Sequence, residues 1–203
     1  MSQGSIIDVP ARPDYVSFAP GFGQRFILTV DTEEEFDWTQ PIVRQGHSLD
    51  TVPKLRNFQE FCDAFGVKPV YLVDYPIAVS SLAIDILGSA ASEGRCEIGM
   101  QLHPWVSPPF VEDVTEHNTY AGNLTPDLER DKLWRLYETI TRNFQHRPVI
   151  YRAGRYGAGP ETHNHLRELG IAIDSSVRPR FDYSHGGGPS YRDHPERPYW
   201  IDR

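Results

Sequence analysis

The sequence predicts a parallel α/β fold. Strand-like and helix-like segments alternate at least four times along its 203 residues. The strands are short and apolar, and four of them end in ionisable groups, Asp31, Asp74, Arg152 and Asp174, while another delivers His103. In parallel α/β folds the active site lies at the carboxyl ends of the strands, so this coincidence points to an enzyme.

Met1 to Gly23, with Pro10, Pro13 and Pro20, reads as an extended lead-in, and residues 24–203 as a single domain. Phe26 to Val30 predicts a fully buried strand that runs into Asp31-Thr32-Glu33-Glu34-Glu35, four acids in five residues. Side chains two apart on an extended segment leave on one side, so Asp31 and Glu33 converge while Thr32 points away. Carboxylates at the rim of a core are costly unless a metal, a cation or solvent receives them.

The remaining elements follow in order. Thr51 to Phe65 carries a helical stripe (Val52, Leu55, Phe58, Cys62, Phe65) closed by Gly66. Lys68 to Asp74 is a second buried strand. Ser80 to Ala91 is a helix with Leu82, Ile86 and Ala90 on one face. Cys96 to Leu102 is the third strand, leading to His103-Pro104-Trp105. Thr125-Pro126 has the form of an N-cap with proline at the first helical position, and that helix runs to about Gln145. Pro148 to Tyr151 is the fourth strand, ending in Arg152-Ala153-Gly154-Arg155-Tyr156. Pro160 to Leu169 is a short helix capped by Gly170; His163 and His165 lie on different faces of it and are expected at the surface. Ile171 to Ile173 is the fifth strand. The tail from Arg180 to Arg203 has no periodic core signal until Tyr199-Trp200-Ile201, which suggests another strand. Five strands are few for a closed barrel, and the expectation is a fragment of a longer protein.

Composition narrows the class. A formal charge of -8 argues against nucleic acid or an anionic membrane as the main partner. No basic start precedes an apolar run, and no stretch approaches the roughly 18 apolar residues that span a bilayer. A soluble, cytoplasmic protein is expected. Cys62 and Cys96, without motif spacing, read as buried free thiols. No glycine-rich phosphate loop follows a strand, and Gly-x-Ser-x-Gly is absent.

Three constellations carry chemistry. Asp31 with Glu33 and His103 can bind a divalent metal and leave positions open for water; the alternative is a solvated acid loop and a turn histidine ahead of Pro104. Arg152 can hold a carboxylate in a two-pronged contact; the alternative is an ordinary strand-to-helix turn in which Gly154 serves backbone shape. Trp105, Phe110 and Tyr120 can stack on a sugar ring or simply cover the core.

In order and distance, Thr29-Val30-Asp31-Thr32-Glu33, then Glu97-Ile98-Gly99-Met100-Gln101-Leu102-His103-Pro104, then Arg152-Ala153-Gly154-Arg155-Tyr156 resemble the motifs of the polysaccharide deacetylases with a NodB-type domain, carbohydrate esterase family four, and within it the WalW-like variant group. The resemblance covers roughly residues 24–203. It implies a distorted (β/α) barrel, a divalent metal with zinc as the first expectation, and removal of N-acetyl groups from the amino sugars of a carbohydrate substrate. Asp31 stands at the catalytic base and Arg152 at the arginine that positions it. Glu33 and His103 stand at metal positions, and Gln101 falls where the first of the usual two histidines would be. Trp105, Tyr156 and Asp174 are expected on the substrate side. The acid-supplying histidine of the last motif has no counterpart before Arg203. Two other functions stay open: a non-catalytic module binding glycan or a protein partner on the same barrel, and a hydrolase of small amides.

Overall fold

A computed structural model describes residues 4–201. Strands β1 (Thr29–Thr32), β2 (Val70–Val73), β3 (Glu97–Leu102), β4 (Ile150–Ala153) and β5 (Ile173–Asp174) form one parallel sheet in sequential order. Between them run helices α1 (Lys54–Ala64), α2 (Tyr75–Ala78), α3 (Ser81–Ser92), α4 (Pro126–Phe144) and α5 (Thr162–Leu169). Right-handed crossovers that always step in one direction place their helices on one face of a sheet. That face buries Tyr71 and Val73 of β2, Ile98, Met100 and Leu102 of β3, and Tyr151 of β4 against Ala83 and Leu87 of α3, Leu133, Leu136 and Ile140 of α4, and Leu166 of α5.

The other face is concave. In a flat sheet β1 and β4 would stand about 14 Å apart, three strand spacings of about 4.8 Å. That is further than an arginine and an aspartate reach together, yet Arg152 Nη1 donates to Asp31 Oδ1 at 2.6 Å and Nη2 to Thr29 Oγ1 at 3.1 Å. The sheet therefore rolls about this face, as in a (β/α) barrel, with five strands among the described residues.

Local chemistry sets the element ends. Asp74 caps α2 by accepting the Ile77 N–H at 2.9 Å, and Ser80 caps α3 by accepting that of Ala83 at 3.4 Å. α4 opens on Pro126, although the Thr125 side chain makes no cap bond, and closes on Gln145 at a left-handed φ of 53°. Gly170, φ 76°, ends α5. Cys62 and Cys96 are buried and free.

Several expectations give way. Phe26 and Ile27 are 75% and 74% exposed, because the ladder begins only where Val70 N–H reaches Leu28 C=O at 2.9 Å and, among the described residues, no strand covers the chain before it. On α3 the buried stripe is Ala83, Ile86, Leu87 and Ala90, while Leu82 is 40% exposed. His163 and His165 are buried, since both faces of α5 are covered. The lead-in is anchored by Ile6, which is fully buried. Tyr199 to Ile201 does not extend the sheet: Tyr15 and Tyr199 form an isolated antiparallel bridge, Val16 N–H donates to Pro198 C=O and Trp200 N–H to Asp14 C=O. The outermost parts of the expected lead-in and tail, residues 1–3 and 202–203, lie outside the described residues. Among the described residues no helix is long and apolar enough to cross a membrane.

Candidate active site

The end of β1 builds the site by alternation. Asp31 and Glu33 face a cleft of about 260 Å³, while Thr32 and Glu34 turn inward and are 5% and 4% exposed. His103, the first residue past β3, is 1% exposed and lies between two of these acids. Its Nδ1 is 2.9 Å from Glu34 Oε2 and its Nε2 is 3.2 Å from Glu33 Oε2. Trp105 stacks on the imidazole, centroids 4.4 Å apart and planes 22° apart, and its indole N–H donates to Glu34 Oε1 at 2.8 Å. Below, Asp74 accepts the Glu34 backbone N–H at 2.9 Å.

Gly154 admits this arrangement by close approach. Its φ is not positive; instead, a Cβ there would stand 2.2 Å from His103 Cδ2 and 2.6 Å from the Leu102 carbonyl oxygen. The left-handed backbone falls on the next two residues, Arg155 (φ 53°) and Tyr156 (φ 59°).

Electrostatics follow from burial and pairing. Burial opposes a charge on His103, but Glu34 and Glu33 outweigh it and hold the imidazole well above its ordinary 6.5. Burial likewise opposes the Glu34 charge, yet His103 and the neighbouring groups bring its carboxyl down to about 2. Burial and the Glu34 charge push Asp74 well above the usual carboxylate range. Negative charge therefore rests on Glu34, and the proton on Asp74.

Glu34, Asp74 and His103 bring one ligand atom each within 4.8 Å of one another, a possible metal-holding group. Their carboxylate oxygens already take donors: Trp105 and His103 on Glu34, Ile77 and the Glu34 amide on Asp74. The edge of this cluster open to the cleft is His103 Nε2, beside Glu33. Gln101 also lines the cleft, and its buried Oε1 has no hydrogen-bond partner among the described residues. An imidazole nitrogen, a carboxylate and an orphaned carbonyl oxygen form a donor set that suits a divalent cation. Glu34, holding Nδ1–H, turns Nε2 toward the cleft, where a cation would take the place of the proton shared with Glu33.

Of the residues expected from the sequence, Asp31, Glu33, Gln101, His103, Arg152 and Tyr156 all line this cleft. Two others do not. Trp105 is 2% exposed and presents no face to a ligand, because it packs under His103. Asp174 follows Tyr151 in register rather than Arg152, so it points away from the concave face. It accepts the Ser176 N–H and hydroxyl and lines a separate cavity of about 750 Å³ with the tail. The residue that sequence reasoning missed is Glu34. Its signal was parity: it shares the inward side with Thr32, where a buried indole N–H and imidazole need an acceptor.

No protein-family model matches the chain, and no curated protein matches it. Solved structures similar to it include a protein of Mycobacterium smegmatis assigned as a polysaccharide deacetylase, at 25% identity over 64% of this chain and 38% of that one, TM-score 0.47. A mutant of a CE4 family pseudoenzyme with restored enzymatic activity shares 12% identity over 78% of this chain and 47% of that one, TM-score 0.49. The chitin deacetylase of Colletotrichum lindemuthianum shares 16% over 78% and 57%, TM-score 0.49. The chain thus spans between 38% and 57% of the length of these three. Two of these are polysaccharide or chitin deacetylases and one is a CE4 family protein, and it is to such proteins that the chain is similar.

Proposed function

We propose that the chain is a metal-dependent hydrolase that removes N-acetyl groups from the amino sugars of a glycan. One observation carries the reading: the Asp31–Arg152 pair, 2.6 Å apart, opens into the same cleft as Glu33, His103 Nε2 and the unpartnered Gln101 oxygen. A carboxylate held by a guanidinium beside a cation-binding donor set is what amide hydrolysis requires.

Glu33, His103 and Gln101 would hold the cation, with zinc favoured by the imidazole and carboxylate donors. Such a cation supplies Lewis acidity, polarising an acyl carbonyl and acidifying water. Asp31 accepts the proton of the attacking water. Arg152 fixes the carboxylate through Oδ1, which leaves Oδ2 as the basic atom. Glu34 keeps the Nδ1 proton of His103, and Trp105 keeps Glu34 in place.

A second reading, a non-catalytic glycan-binding module, is favoured by Gln101, a weaker transition-metal donor than imidazole. It is favoured also by the cleft's histidine content, since His103 is the one histidine lining it among the described residues. Zinc titration and acetate release from N-acetylglucosamine oligomers separate the two. In the hydrolase, Asp31→Asn lowers the rate by roughly 10²- to 10⁴-fold with zinc retained, and Glu34→Gln weakens zinc by about 10- to 100-fold. Wild-type protein that takes up no zinc and releases no acetate gives the case to the binding module.

A further inference from the structure

The cleft contains more positive charge than the proposed hydrolysis uses. In a chain of net charge -8, three guanidinium groups line it: Arg152, Arg155 and Arg178. Two are committed. Arg152 holds Asp31 and Thr29. Arg155 donates to the Thr119 hydroxyl, reaches Glu116 at 3.3 Å and lies over the Tyr120 ring at 4.4 Å.

Arg178 is different. Its carbon sits 3.5 Å from the centroid of Phe181 and 5.3 Å from that of Tyr156, and Nη1 donates to the Tyr183 hydroxyl at 3.3 Å. No carboxylate pairs with it among the described residues. A guanidinium has five N–H donors in a fixed fork. Set against aromatic rings, with one bond to a neutral hydroxyl, it retains donors for a planar or tetrahedral oxyanion.

The backbone is shaped to the same end. Arg155 and Tyr156 are consecutive non-glycine residues in the left-handed region, each at a cost of order 1 kcal/mol. Their side chains both reach the cleft, and Tyr156 stacks on Tyr183 with centroids 5.6 Å apart. Gln101 and His103 are buried at the bottom and Arg178 is exposed at the mouth, so an acyl group near Asp31 leaves the remainder of its sugar beside these rings. At about 260 Å³ the cleft is below the usual range of about 300–1,000 Å³ and suits a single ring.

We propose that the cleft takes an acylated sugar bearing an anionic group, a carboxylate or a phosphate, and that Arg178, set against Tyr156 and Tyr183, is the subsite for that group. This deepens the hydrolase reading and rests on it for the placement of the acyl group.

The test is calorimetric titration of the chain with N-acetylglucosamine, N-acetylmuramic acid and N-acetylglucosamine 6-phosphate at low and high salt, beside Arg178→Gln and Arg178→Lys. At low salt at least one anionic sugar should bind about tenfold or more tighter than the neutral one, the scale of a charge-assisted pair. Salt should erode that ratio, R178Q should bring it to about one, and R178K should restore part of it. Whichever anionic sugar leads identifies carboxylate or phosphate. Equal affinities for all three sugars, no binding of either anionic sugar, or an R178Q that keeps both its thermal transition and the preference overturns the proposal. Acetate release assayed in parallel separates the two readings. Release without anionic preference sinks the subsite and keeps the hydrolase; preference without release sinks the hydrolase and keeps an anion-selective glycan site.

Discussion

Replacing Glu129 by glutamine should remove a pH-dependent weakness from the helical layer. Glu129 lies in the first turn of α4, is 2% exposed, and its Oε1 accepts the Thr162 hydroxyl of α5 at 2.5 Å. His165 Nε2 is 3.8 Å from its other oxygen. Burial pushes the carboxyl up from 4.5 to about 7, with the Thr162 bond working against that and Glu161 adding to it. An acid whose pKa is raised by folding contributes stability that is fully present below about 4.5 and lost as pH rises through about 7. The difference is worth about 3 kcal/mol. Glutamine keeps an acceptor for Thr162 and has no charge to bury. Urea unfolding of both proteins from pH 5 to 8.5 should show the variant gaining relative stability with pH by about 2–3 kcal/mol. His165, which burial pulls below its ordinary value, lies against this carboxylate, so its own titration is followed by NMR in both proteins and subtracted. A stability difference that stays flat across that range would refute the assignment of a buried, protonated Glu129.

Two other substitutions test the framework around the site. Lys132→Met removes a fully buried ammonium that donates to the carbonyls of Pro104, Ser107 and Pro109 at 3.0, 2.5 and 2.7 Å and pairs with Glu112 at 3.0 Å. It should cost about 3–5 kcal/mol in denaturant unfolding, and a loss below 1 kcal/mol would show that the loop carrying Trp105 is held by other contacts. Gly154→Ala puts a methyl 2.2 Å from the His103 ring and 2.6 Å from a backbone oxygen; a cost of about 1–3 kcal/mol is expected. An unchanged melting temperature would mean that the ring and strand give way freely.

The parallel alternation and the three strand-end residues Asp31, His103 and Arg152 were legible in the chain itself, because apolar runs and their polar ends are local features. So was the parity that sends Asp31 and Glu33 one way, since it depends only on the geometry of an extended backbone. Which acid pairs with His103 Nδ1 was not legible. Glu33, Glu34 and Glu35 are chemically alike, and only the packing of β1 beside β2, and of β2 beside β3, brings Glu34 under the imidazole and leaves Glu35 to cap the loop at Ser48 and Thr51. Trp105 and Asp174 make the same point. Their types suit a sugar site, but burial under His103 and the register of β5 take them away from it. His163 and His165 were rightly placed on different faces of a helix, yet whether a face meets solvent depends on α4, the lead-in and the tail. The contact of Arg152 with Asp31 across two intervening strands is decided by the curl of the sheet, which arises from packing the whole layer of helices on one side. No segment of sequence holds that information alone.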